Sequence, residues 1–328
     1  MAKRSKKRQA QRSPAPHPRR TAEQATEGDL PSDATMFRFQ IVDRQTRAQL
    51  RKSAYATTEE QIWERDAGPV EMIRRAPSVE ALIDLAPLAT GLAEEEWEHR
   101  MRRAGPEALP LIATRLKNAR RLDAHLRDRI YERLLAELRW RGEAGAATLL
   151  ESFDALDDYG RCLACVSLGL LGAHNAADLL WNYLWQVAYS RRESYLVGPL
   201  WGLADLHDER LPGALADLAE SGREFAELLG FLSAFGDARA VAPLIGMIVS
   251  ARQDKSLEPM LALVSVAHRI GRDALVAELA ALIPDDQPPS AEDMADSLLN
   301  RSTADSEKFF ELFHHGLRPE DLAEELGA

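Results

Sequence analysis

Cysteine, histidine and tryptophan are the side chains here with the most chemistry to offer, and their spacing restricts what they could do. Cys162 and Cys165 are the only two cysteines and form a Cys-x-x-Cys, a spacing used for thiol–disulfide exchange or for half of a zinc site. Zinc needs about four ligands, and no second pair stands elsewhere in the chain. His314 and His315 are adjacent, so on a helix they point ~100° apart and do not chelate through one face. His17, His174 and His207 are isolated along the sequence. Neither a Gly-rich phosphate loop nor a Gly-x-Ser-x-Gly elbow occurs. No catalytic residue, cofactor-binding residue or metal ligand is therefore assigned, and a non-enzymatic function is expected.

The elements that would position these side chains are legible from a repeating register. Turn residues stand at Gly142, Gly172, His207, Gly236 and Gly271, each followed eight positions later by Leu150, Leu180, Leu215, Leu244 and Leu279. Four positions before each turn come Leu138, Leu168, Leu203, Leu232 and Ala267. Seven before come Leu135, Cys165, Leu200, Leu229 and Val264, and eleven after come Phe153, Tyr183, Leu218, Met247 and Leu282. Such offsets place one apolar stripe on a helix that precedes the turn and another on a helix that follows it. Each unit is thus two amphipathic helices, repeated at a spacing suited to helical-pair solenoids. In this register Cys165 occupies a core column, so the cysteine pair is expected to pack rather than react.

The stretch Phe231-Leu-Ser-Ala-Phe-Gly-Asp-Ala-Arg-Ala-Val-Ala-Pro-Leu-Ile245 resembles a HEAT repeat of the bacterial kind shared with phycobilisome-lyase-like proteins. Leu168-Gly-Leu-Leu-Gly-Ala-His-Asn-Ala-Ala-Asp-Leu-Leu180 resembles it more loosely, and the turn glycine is replaced by His207 in one unit. The resemblance implies an all-α fold, a HEAT-like α-α superhelix (an armadillo-type solenoid) of about six helical pairs. The resemblance covers the solenoid at 78–283; the charge-rich, Pro-rich start reads as a basic disordered tail at 1–34, followed by a helical lead-in at 35–77, and the break after Ile283 leaves a helical cap at 290–328. Ser290-Ala-Glu-Asp reads as a helix start with an acidic first turn. Leu317–Gly327 looks like half of a helix-turn-helix and is better suited to capping the array.

Charge narrows the choice of partner. The formal net charge of −11 is the sum of unlike zones: +8 over residues 1–20, −8 over 21–98, +7 over 99–141 and −18 over 142–328. Phosphate would be repelled by most of the surface, which leaves the tail and the zone from His99 to Arg141 as candidate nucleic-acid contacts. The tail suits a weak RNA or ribosome contact. No apolar run marks a signal peptide or a membrane span, so a cytoplasmic protein without membrane contact is expected.

In HEAT-like repeats the helix before the turn lines the concave side, which implies a candidate surface opposite its core stripe. The residues there include Arg129, Arg133 and Trp140 in the first unit, Leu163, Val166 and Leu170 in the second, and Trp201 and Asp205 in the third. Ala234, Ser265 and Arg269 follow in later units. Apolar and aromatic side chains at positions meant for solvent mark a partner site or a face covered from within. The leading expectation is a protein- or peptide-binding scaffold that uses Arg129, Arg133, Trp140, Leu163, Val166, Leu170, Trp201 and Asp205. A HEAT-like DNA glycosylase or other nucleic-acid-binding protein is the alternative, and a bilin lyase or chaperone is a third. The second aromatic group, Trp181, Trp185 and Tyr189, is expected to pack between neighbouring repeats.

Overall fold

A computed structural model describes residues 59–190, 193–223, 226–250, 257–284 and 288–311. The tail at 1–34, the lead-in as far as residue 58, and Leu317–Gly327 lie outside the described residues.

Helices alone build this part of the chain, with no strand among the described residues. In order they are α1 (Glu59–Arg74), α2 (Val79–Asp84), α3 (Leu92–Arg103), α4 (Ala108–Ala119), α5 (Ala124–Arg139), α6 (Gly142–Ser152), α7 (Asp158–Leu170) and α8 (Ala177–Ser190). There follow α9 (Val197–Asp205), α10 (Leu211–Glu220), α11 (Ala226–Phe235), α12 (Val241–Ser250), α13 (Leu257–Ile270), α14 (Arg272–Ala280), α15 (Ala291–Leu299) and α16 (Ala304–Glu311). Among the described residues no helix is long and apolar enough to cross a membrane.

Odd-numbered helices form one continuous row, each packing on the odd helix before and after it from α1 to α15. Even-numbered helices form a second row in two runs, α2–α4–α6 and α10–α12–α14. Between these runs stands α8, whose main helix partner is α9 rather than α6 or α10. Four of the five turn residues of the register fall between two helices, and Gly142 opens α6. His207 shows why a turn residue is needed there: its φ of 53° is left-handed. This lets the His207 N–H reach the Ala204 carbonyl and the Asp208 N–H reach that of Leu203, both at 3.0 Å. That double closure satisfies carbonyls left over at the end of α9.

The columns of the register are core columns. Leu138, Leu168, Leu203, Leu232 and Ala267 are all fully buried, as are Leu180, Leu215, Leu244 and Leu279. Two positions depart from the pattern. Leu150, on the end of α6, is only half-buried, and Leu282, beyond the end of α14, is 43% exposed. Both lie where a helix of the second row gives out.

Arginines fasten successive helices by donating to carbonyls at the helix ends. Arg100 of α3 donates to the Arg74 and Ala76 carbonyls at the end of α1, at 2.9 and 3.0 Å. Arg141 donates to the Met101 and Ala104 carbonyls at the end of α3, at 2.6 and 2.7 Å. Arg161 reaches the Phe153 and Asp154 carbonyls after α6, and Arg269 reaches those of Gly236 and Ser233 at the end of α11. After α14, Ser290 and Asp293 form a capping box that starts α15, and α16 follows it.

Candidate functional site

Of the eight residues expected to form one partner surface, four are inside the protein. Leu163, Val166, Leu170 and Trp201 are buried, and Trp201 lies against Phe231 with ring centroids 4.7 Å apart. The physical cause is the contact between α7 and α9, which approach to backbone distance through glycines. A Cβ on Gly202 would stand 2.5 Å from the Cys165 carbonyl oxygen and 2.4 Å from a Leu180 methyl. One on Gly198 would meet the Cys162 carbonyl oxygen at 2.4 Å, and one on Gly169 would meet Gly202 Cα at 2.7 Å. From Cys162 to Leu170 every residue of α7 is therefore buried, and the expected apolar face is covered by the chain itself.

The other four are engaged or half-covered. Arg129 donates to the Pro87 carbonyl at 3.2 Å, and Arg133 pairs with the buried Glu94. Trp140 is half-buried beneath the Arg102 guanidinium, 4.2 Å from its ring centroid. Asp205 is half-buried on α9 beside Gly169. The eight therefore do not make one open face.

Leu163 and Val166 do share one small feature with polar and charged residues that the register does not assign. Together with Leu135, Ala136, Ser167, Glu132 and Arg139 they line a cavity of about 10 Å3, room for one water at most. Burial pushes the Glu132 carboxyl up to about 7, although the Tyr159 hydroxyl donates to it at 2.9 Å. Glu137, also on α5, is likewise pushed up to about 7 by burial against the pull of Arg141. Glu132 and Arg139 are seven positions apart on the face of α5 toward α7. That i, i+7 pair of opposite charges was the available signal.

The cysteines have no access to solvent. Burial pushes the Cys162 thiol up to about 12 and raises that of Cys165 as well, so neither supplies thiolate for exchange or metal binding. Among the described residues, no three His, Cys, Asp or Glu side chains cluster in a way that could hold a metal.

Exposed aromatic chemistry lies elsewhere, on α8. Trp181 and Trp185 meet edge to face with centroids 5.7 Å apart, and Trp185 and Tyr189 follow at 6.1 Å. The i, i+4, i+8 spacing aligns the three on one face. Arg210 lies over the first ring at 4.8 Å from its centroid, held by Asp178 and Asp208. The sequence reading expected inter-repeat packing to bury this group. Instead the two indoles are half-buried and Tyr189 is 82% exposed, because neither α6 nor α10 packs extensively on α8.

A second open feature is a cleft of about 170 Å3 lined by Ser233 and Ala234 of α11, Ser265 and Arg269 of α13, and Thr303 and Glu307 at α16. The register placed Ala234, Ser265 and Arg269 on the inner side, and the structure brings those three together. The cleft is closed on one side by α16, which docks on α13 through the buried Ser306 hydroxyl donating to the Leu261 carbonyl at 2.8 Å.

The basic zone from His99 to Arg141 is largely used within the fold. Arg115 faces Asp84, Arg127 bridges Asp128 and Asp157, and Arg141 is held by Glu137. Arg100, Arg102, Arg129 and Arg133 are engaged as described, and Arg139 is buried. The exposed remainder is Arg103, Lys117, Arg120 and Arg121. Compared with protein-family models, curated proteins and solved structures, the chain finds no match.

Proposed function

We propose that the protein is a non-enzymatic scaffold of HEAT-like helical pairs, working in the cytoplasm, that binds a protein or peptide through the aromatic ladder of α8. The HEAT-like reading is supported by turn residues that separate paired helices, by buried columns at fixed offsets and by two rows of stacked helices. The observation that carries the function is the ladder itself. Trp, Tyr and Arg are the side chains that most often anchor interfaces, and here Trp181, Trp185, Tyr189 and Arg210 stand together where the second row is interrupted. This moves the binding surface away from Leu163, Val166, Leu170 and Trp201, which are core residues.

The nucleic-acid alternative draws little from the geometry, since Trp201 is buried and Arg133 is neutralised by Glu94. A groove for phosphate needs cations that face solvent.

A photoreactive phenylalanine analogue in place of Tyr189, with a second one in place of the exposed Lys117 as control, tests the ladder in the native cell. Position 189 should give a discrete cross-linked protein adduct that disappears when Trp185→Ala is added, while position 117 gives none. Helical content and melting of Trp185→Ala/Tyr189→Ala should stay close to those of the parent protein. Equal adduct patterns at 189 and 117, or an adduct indifferent to Trp185, would refute the reading.

A further inference from the structure

Arg141 and Arg269 perform the same structural task but differ in one respect. Each donates through both terminal nitrogens to carbonyls at the end of the preceding odd-numbered helix. Arg141 also receives a carboxylate four residues earlier on its own chain: Glu137 Oε1 accepts from its Nε at 2.9 Å and from its Nη2 at 2.7 Å. Four residues before Arg269 the chain has Ser265. Its hydroxyl accepts from Ser233 at 3.0 Å, which leaves its own proton to donate.

The consequence is a guanidinium whose anion partner is missing. The two carbonyls use two of its five N–H donors, and among the described residues no carboxylate lies within ion-pair reach of it. Desolvation lowers its pKa. Arg269 is nonetheless an exposed residue, and it lines the open cleft of about 170 Å3. On the far side, Glu307 accepts from the Thr303 hydroxyl at 3.0 Å through one carboxylate oxygen, and the other oxygen remains available. A cavity of this volume is below the roughly 300–1,000 Å3 of pockets for drug-sized ligands, so it suits a smaller molecule.

We infer that this cleft is a binding site for a small zwitterion of free amino-acid size, its carboxylate on Arg269 and Ser265 and its ammonium on Glu307. Arg269 presents a fork that matches a carboxylate in the way it meets Glu137 at Arg141. Glu307 supplies a negative charge within the same cleft, so a ligand that carries both charges satisfies both walls. A plain anion would leave Glu307 opposed to it.

The test is isothermal titration of the full-length protein with free L-amino acids, with the same amino acids as carboxamides, with their N-acetyl forms, and with inorganic phosphate. At least one free amino acid should bind at millimolar concentration, and capping either end should weaken it by about tenfold or more. Two variants locate the site. Arg269→Gln should abolish binding. Ser265→Glu should supply an internal carboxylate as Glu137 does, and so abolish binding while leaving the melting temperature equal to or above that of the parent. Because Ser265→Glu keeps the arginine cap, loss of binding there is not a folding defect. Silence toward every free amino acid would overturn the proposal, as would binding that survives Ser265→Glu. Equal binding of the N-acetyl form or of phosphate would reduce the site to one for simple anions, and the zwitterion assignment would fall.

Discussion

The α7–α9 contact and the α11–α13 contact join neighbouring odd-numbered helices in the same row, yet one is sealed and the other stands open. At α7–α9 the facing residues are Gly169, Gly198 and Gly202, and the backbones touch. At α11–α13 the facing residues include Ser233 and Ser265, whose hydroxyls hydrogen-bond at 3.0 Å and whose flank opens into the cleft. Glycine lets helices close until the side chains around them are trapped as core, which is what happens to Leu163, Val166 and Leu170. A hydroxyl pair holds the helices at a polar separation, and the space beside it remains accessible. One row of helices therefore has a sealed centre and an open end, with glycines at the first contact and a serine pair at the second.

Removing what the sealed contact traps gives the largest expected effect. Trp201→Ala should cost about 3–5 kcal/mol, because a buried indole leaves a cavity that the close helices cannot fill by collapse. Chemical denaturation measures this directly, and a loss below about 1 kcal/mol would mean that the ring is solvated and the centre is not sealed. A smaller loss of about 1–3 kcal/mol is expected for Gly202→Ala, since the added methyl meets the Cys165 carbonyl and Leu180. Gly246→Ala on α12 is the matched control. Nothing lies within 4 Å of a Cβ there, and the backbone is not left-handed, so this change should add roughly 0.5–1 kcal/mol through helix propensity and unfolded-state entropy. Equal signs for the two glycines would break the comparison.

The same contrast explains how far the sequence could be read. Periodicity records which face of a helix is apolar, so the turn residues and the columns through Leu138, Leu168 and Leu203 were legible, and so was the placing of Cys165 in the core. It does not record how near the next helix comes. Leu163, Val166, Leu170 and Trp201 sit opposite the core stripe and read as an exposed face, and only the glycines on both helices together reveal that the face is closed. Gly198 and Gly202, four apart on one helix, carried that signal. At α8 the error ran the other way. Trp181, Trp185 and Tyr189 resemble inter-repeat packing, but the neighbours needed to bury them are lacking, a fact that belongs to the second row and not to α8. The cleft was within reach: Ala234, Ser265 and Arg269 fell on the inner columns, and comparing Arg269 with Arg141 would have shown the absent carboxylate four residues before it.

The last expected effect is the one that depends on pH, and it concerns an acid on the flank of the sealed centre. Burial lifts Glu132 to about 7 from an ordinary value of 4.5, so the folded protein holds this proton more tightly than the unfolded chain does. Stability from this group is therefore fully present below the ordinary carboxylate value and is lost as pH rises through about 7. Glu132→Gln keeps an oxygen to accept from Tyr159 and never ionises. Relative to the parent it should gain on the order of 3 kcal/mol at about pH 8 and under about 1 kcal/mol at about pH 5. Glu137 moves in the same direction and is present in both proteins, so it cancels in the difference. Denaturation at the two pH values gives the answer. A difference that does not change with pH would mean that water reaches Glu132 freely, and the small cavity between α5 and α7 would then belong with the open end of the molecule rather than with its closed centre.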